Sequence, residues 1–282
     1  MVGQKMIKSK ASCLIGMGKL PRFCLFTGEA GIGKRTMMRW VANHMTKANV
    51  IEYPDCKVDT VRTMIKEAHT ITTPTIFIMA DIHTMSTQAK NAILKITEEP
   101  PNNSYFFMSA TSESDVLDTI KSRSVVFALQ PYSKVELAEY LQTKPNVQLS
   151  AETREFILNV SNTIADVEYM LSIDVAAFRE YVSTVFEKIE KVSGPNSFKL
   201  SDKLALKDEA DKYNLKIFFQ AFQYLCLQHM IGVPKDEEER FFLGIEITSE
   251  VSSELSITGI NKQMLVDNWI LSIRKAWLNG HT

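Results

Sequence analysis

The sequence predicts an α/β core, a parallel sheet with helices on both faces, followed by a small helical lid and an all-α C-terminal domain. Three observations carry that reading. Short apolar runs alternate with helical patterns over residues 22–130. A glycine-rich turn, Gly28-Glu29-Ala30-Gly31-Ile32-Gly33-Lys34, separates the first of those runs from a helical pattern. From Pro131 onward the strand signal stops and only helical periodicity remains.

The expected strands are Phe23–Thr27, Val50–Tyr53, Thr75–Ala80, Tyr105–Ala110 and Val125–Leu129. They are apolar without strict alternation, as strands buried on both faces are. Helices are expected between them near 34–48, 58–70, 86–98 and 114–122. The third is explicitly punctuated. Ser86 suits an N-cap, Ala89, Ala92, Ile93 and Ile96 share a face, and Pro100-Pro101 stops it.

Beyond Pro131, helices are expected near 133–143, 151–160, 163–172, 174–192, 198–211, 213–231 and 261–278. In the fourth of these, Phe178, Tyr181, Val182, Val185, Phe186, Ile189 and Val192 make one stripe. Ser193-Gly194-Pro195-Asn196 reads as a turn and a joint. Lys235–Arg240 reads as a solvated helix start. The expected domains are 1–130, 131–173 and 174–282. Residues 196–282 hold Phe218, Phe219, Phe222, Tyr224, Leu225, Trp269 and Trp277 but no chemical motif. A small bundle buries few groups of that size, so these side chains are expected to form an interface. The alternative is that they pack inward on the α/β core.

Composition excludes several classes. The chain has 282 residues, 45% hydrophobic and 23% charged, which is not fibrous, collagen-like or wholly disordered. Net charge is −1, but residues 1–50 carry nine Lys/Arg against the single Glu29, so that segment is +8 and the rest −9. A basic segment on an acidic body fits either a local phosphate or nucleic-acid site or a solvated basic face. The four cysteines, Cys13, Cys24, Cys56 and Cys226, form no C-x-x-C pair and have no histidine at zinc spacing. That is reduced usage, and no zinc is expected. No apolar stretch has membrane-span length, and the N-terminus lacks the pattern of a secretory signal. A cytoplasmic location without membrane contact is expected.

The chemistry-bearing motif is the glycine-rich turn. Gly28, Gly31 and Gly33 let the backbone approach a phosphate, N–H groups at the following helix start donate to it, and Lys34 adds a point charge. A magnesium-binding hydroxyl is needed directly after the lysine. That position holds Arg35, and the hydroxyl arrives one residue late at Thr36. One helical step turns a side chain by about 100°. Thr36 therefore either reaches the metal from one step on or misses it, in which case Arg35 partly replaces its charge. Asp81 follows the apolar run Ile76–Ala80, where a phosphate-loop enzyme places its magnesium-orienting carboxylate. Helix capping is its alternative role. Thr36 and Asp81 are the candidate magnesium ligands, and ATP with magnesium is the candidate cofactor.

The run Asp81-Ile-His-Thr-Met-Ser-Thr-Gln-Ala-Lys-Asn91-Ala-Ile-Leu-Lys95-Ile-Thr-Glu-Glu-Pro-Pro101 is similar to a segment of the bacterial DNA polymerase III clamp loaders, within the AAA+ family. Tyr105–Thr111 and Ile120-Lys-Ser-Arg-Ser124 continue the likeness, so it covers residues 22–130. Within that family, bacterial or phage-encoded, the chain resembles the delta-prime type. The resemblance implies a nucleotide-binding core, a helical lid and a helical collar that assembles a five-subunit ring. It implies that Arg123, in the Ser-Arg-Ser turn, reaches the ATP of an adjacent subunit as a trans-acting finger, the alternative being an ordinary surface arginine. Thr111 matches a sensor position at a strand end, the alternative being a strand-favouring threonine with no role. The catalytic Glu expected after Asp81 is replaced by Ile82, with His83 next, and the lid stretch Ser161–Asp166 lacks the sensing Arg. The resemblance therefore implies a non-hydrolysing subunit. Its partners would be the other ring subunits, the sliding clamp, and primer-template DNA held through phosphates. The rival reading is a hydrolysing, gamma-like motor subunit.

Overall fold

The computed structural model describes residues 2–45, 47–144, 147–189, 191, 213–255 and 259–279. The chain divides into two compact units, Met1–Thr143 with Thr163–Ala165, and Lys144–Asn162 with Asp166–Thr282.

The first unit is an α/β layer structure. Its strands are β1 (Phe23–Thr27), β2 (Asn49–Tyr53), β3 (Thr75–Met79), β4 (Ser104–Ala110) and β5 (Val125–Ala128). All pair in parallel, in the order β2-β3-β4-β1-β5. The helices are α1 (Lys5–Gly16), α2 (Lys34–His44), α3 (Val58–Thr70), α4 (Thr87–Glu98), α5 (Asp118–Lys121) and α6 (Lys134–Gln142). β1 and β3 are buried at every position, which explains why they are apolar apart from the terminal threonines Thr27 and Thr75.

Aromatic rungs cross the sheet. On one face Phe23 stacks on Phe106 at 4.9 Å and Phe106 on Phe77 at 5.4 Å. That face packs against Val61, Met64 and Ala68 of α3 and Ala89, Ile93 and Ile96 of α4. Elsewhere Phe26 stacks on Phe127 at 4.9 Å. Ser86 caps α4 by accepting from the Ala89 N–H, the expected punctuation.

Two elements differ from expectation here. α1 carries only Ile7 and Ala11 as buried residues, too sparse a stripe to announce a helix. It packs on α2, and Gln4 before it bridges the backbone of Gln130 in both directions. The stretch expected as one helix near 114–122 is instead a 3₁₀ turn at Glu113–Asp115 followed by α5. Ser112 and Asp115 form a reciprocal N-terminal cap that opens the first turn.

The second unit is helical. It holds α7 (Ala151–Val160), most of α8 (Ile164–Ser172), α9 (Val175–Lys188), α10 (Leu215–His229), α11 (Lys235–Glu254) and α12 (Lys262–Asn279). α10 packs on α7, α9 and α11, and α11 packs on α12. The expected joint at 193–196 and helix at 198–211 lie outside the described residues. α11 extends well past the acidic run that announced its start.

The aromatic side chains expected at an interface are a correction. Phe218, Phe219, Phe222, Trp269 and Trp277 are buried within this unit. Trp269 meets Phe222 at 4.8 Å and Phe218 at 5.7 Å, and its indole N–H donates to Thr248 Oγ1 at 2.9 Å. The reason is the number of helices. α7 and α9 add Phe156, Phe178 and Phe186 to the same core, so the bundle is larger than residues 196–282 alone. Tyr224 and Leu225 are half-buried.

Candidate functional site

The phosphate loop leaves β1 and turns into α2. Gly28, Gly31 and Gly33 have φ values of +143°, +81° and +97°. These are conformations that a side chain resists and glycine adopts freely. Gly31 is also crowded: a Cβ there would lie 2.7 Å from Ala165 Cβ and 3.2 Å from Thr163 Oγ1. Gly31→Ala is therefore expected to destabilise the α/β unit by about 1–3 kcal/mol through backbone strain, plus the clash. A thermal melt of that variant checks it, and an unchanged melting temperature would contradict it.

Lys34 is buried and its ammonium donates to the carbonyls of Gly28 at 2.6 Å and Glu29 at 3.0 Å. Burial holds its pKa below the ordinary lysine value, while the negative charges of Asp81 and Glu29 act in the opposite direction. The loop N–H groups, the α2 N-terminus and this ammonium form a site suited to a polyphosphate.

Arg35 is directed elsewhere. Its Nε lies 2.7 Å from Glu52 Oε1, on β2, and Arg39 one turn later takes Glu52 Oε2 at 2.6 Å. Glu52 was not among the residues expected here. A carboxylate in the otherwise apolar run Val50–Tyr53 was the available signal. Thr36 is exposed.

Asp81 follows β3 with φ of +57° and stands in the N-cap position, just before a short 3₁₀ turn, Ile82–Thr84. Its side chain makes no capping bond, so the capping role does not account for it. Its N–H donates to Ser109 Oγ at 3.0 Å, which ties the end of β3 to β4. Its carbonyl accepts from Thr84 Oγ1 at 2.8 Å, and the buried Cys56 thiol approaches it at 3.4 Å. Ile82 is buried. An isoleucine there offers no atom to take a proton from water.

Thr111 closes the floor of the site. Its carbonyl accepts the Gly28 N–H at 3.1 Å, and its hydroxyl donates to Asp115 Oδ2 at 2.7 Å. That hydroxyl is committed to the cap of the following turn. Arg123 stands apart, exposed just beyond α5, with Nη1 donating to the Thr119 carbonyl at 3.1 Å.

Magnesium is a poor fit to these residues. It requires near-octahedral oxygen donors. The position next to Lys34 presents a guanidinium held by Glu52, and a second cation one turn on. Asp81 alone is an anionic oxygen donor at the strand end. Among the described residues no group of three or more His, Cys, Asp or Glu side chains could hold a metal ion. No described helix is long and apolar enough to cross a membrane.

Residues 52–133 match the family described as DNA polymerase III, delta subunit. The chain is similar to the DNA polymerase III subunit gamma of Buchnera aphidicola subsp. Acyrthosiphon pisum, 24% identical over 243 residues, 73% of this chain and 67% of that one. It is similar to the DNA polymerase III subunit delta-prime of Haemophilus influenzae, 24% identical over 63% of this chain and 58% of that one. A replication factor C small subunit of Methanothermobacter thermautotrophicus is 28% identical over 56% of this chain and 53% of its own. The chain thus spans between about half and two thirds of these relatives' length. Its fold is similar to that of the RuvB Holliday junction branch migration motor of Thermotoga maritima, with a TM-score of 0.50 at 16% identity over 96% of this chain and 87% of that one.

Proposed function

We propose that this clamp-loader-like AAA+ protein is a non-hydrolysing, delta-prime-like subunit of a ring that opens a sliding clamp and places it on primed DNA. The observation that carries the reading is the buried Ile82 directly after Asp81. A hydrolysing subunit of this family needs a general base there, and this side chain cannot act as one. The subunit would donate Arg123 to the active site of a neighbour. A planar guanidinium suits the charge that develops on a transferring phosphoryl group. The three-domain reading, core 1–130, lid 131–173 and collar 174–282, belongs to this proposal. So do the other ring subunits, the clamp and DNA phosphates as partners, and a cytoplasmic location.

In this reading the chain's own residues bind and position without turning over ATP. When nucleotide is bound elsewhere in the ring, its hydrolysis supplies the chemistry. Here the loop N–H groups and Lys34 would hold a polyphosphate, and Thr111 would fix the loop through its carbonyl.

The rival is a hydrolysing motor subunit, favoured by the gamma designation of relatives such as the Buchnera protein. The two separate on turnover. The purified chain is expected to hydrolyse ATP no faster than buffer, and Lys34→Ala to change nothing. Magnesium-dependent turnover that disappears in Lys34→Ala would establish the motor reading instead. Copurification with other replication subunits tests ring membership independently.

A further inference from the structure

The magnesium position and the phosphate loop disagree, and the disagreement is specific to Arg35. On the reading of Gly28–Lys34 as a polyphosphate loop, the residue after the lysine faces the metal between the outer phosphates. Here that residue is a cation. Its Nε is paired with Glu52 Oε1 at 2.7 Å, and Arg39 holds the other carboxylate oxygen at 2.6 Å. Glu52 therefore balances two guanidinium groups with one negative charge. Within that trio one positive charge is left over, and it sits on the residue that follows Lys34.

We infer that this loop binds a nucleoside di- or triphosphate without magnesium, with the Arg35 guanidinium in the role of the metal and Glu52 as its resting partner. A divalent cation beside Arg35 would meet like charge, which disfavours it at short range. A phosphate oxygen there would meet a forked donor, which suits it better than a point charge. Thr36, one step on along α2 and exposed, cannot restore the missing hydroxyl at the same angle. Arg39 keeps Glu52 neutralised when Arg35 turns to the ligand, so the exchange leaves no carboxylate without a partner.

The test is an equilibrium titration of the full chain with ADP and ATP carrying a methylanthraniloyl fluorophore, once in magnesium and once in EDTA. The wild-type affinity is expected to be the same in both. Arg35→Thr places a hydroxyl directly after the lysine, and its binding is expected to become dependent on magnesium by about tenfold. Glu52→Gln releases the guanidinium and is expected to tighten binding in EDTA. Should Glu52→Gln fail to fold, the wild-type and Arg35→Thr titrations decide. Wild-type binding that tightens about tenfold with magnesium overturns the inference. So does an absence of binding in both buffers. Either result leaves the ring-subunit reading standing, because that reading is tested by assembly and by turnover.

Discussion

On the proposed ring-subunit reading, Arg123→Ala is expected to leave this chain folded and able to assemble, while the neighbour's active site loses nearly all its activity. The folded-state argument is short. Arg123 is exposed, and its guanidinium bonds the Thr119 carbonyl of its own α5 turn. Losing such a contact at the surface costs little. The catalytic argument is larger. Trans-acting arginine fingers contribute about 10³–10⁵ in rate to the site they enter. Ring ATPase, measured with the variant subunit incorporated, is expected to fall by at least that site's share. It falls further where the sites act in concert. Arg123→Lys keeps the charge but loses the planar fork, and is expected to recover only part of the rate. Ring ATPase and clamp loading that are unchanged in Arg123→Ala would make Arg123 an ordinary surface residue.

The α/β half was legible because its physics is local. β1 and β3 are buried on both faces, so each is apolar apart from one terminal threonine, Thr27 or Thr75, and the run stands out. α4 announces itself through Ser86, Ile93, Ile96 and the prolines that follow. α1 was not legible, because two buried residues in twelve leave no stripe to read. The direction of Arg35 was equally hidden. Its partner Glu52 comes from β2, at the edge of the sheet. Sequence spacing shows that a cation stands in the hydroxyl's place, and only tertiary structure shows which anion holds it. The aromatic side chains of residues 196–282 were misplaced for a related reason. Their expected surplus was counted against residues 196–282, whereas α7 and α9 share their core.

Trp269→Ala follows from that correction, and it is expected to have the largest effect on stability of any single change in the helical unit. Trp269 is fully buried, lies 5.1 Å from Phe219 and 4.8 Å from Phe222, and donates to Thr248 Oγ1 at 2.9 Å. Truncation leaves a cavity between α12, the rings of α10 and Thr248 of α11. Such changes cost about 3–5 kcal/mol, against a total of about 5–15 kcal/mol for a domain. Leu271, on the same helix but exposed, is the control, and Leu271→Ala is expected to shift stability by less than about 0.5 kcal/mol. Thermal or denaturant unfolding of the two variants compares them. Deleting everything after residue 195 extends the argument. It removes α10, against which α7 and α9 pack, and strips the cover from Phe178, Val182, Val185 and Phe186. The shortened chain is expected to lose the helical unit, bind a hydrophobic dye and aggregate, as judged by circular dichroism and gel filtration. Had the aromatic side chains served an interface, the same deletion would leave a monomer with α7–α9 intact, and that outcome would overturn their assignment to the unit's own core.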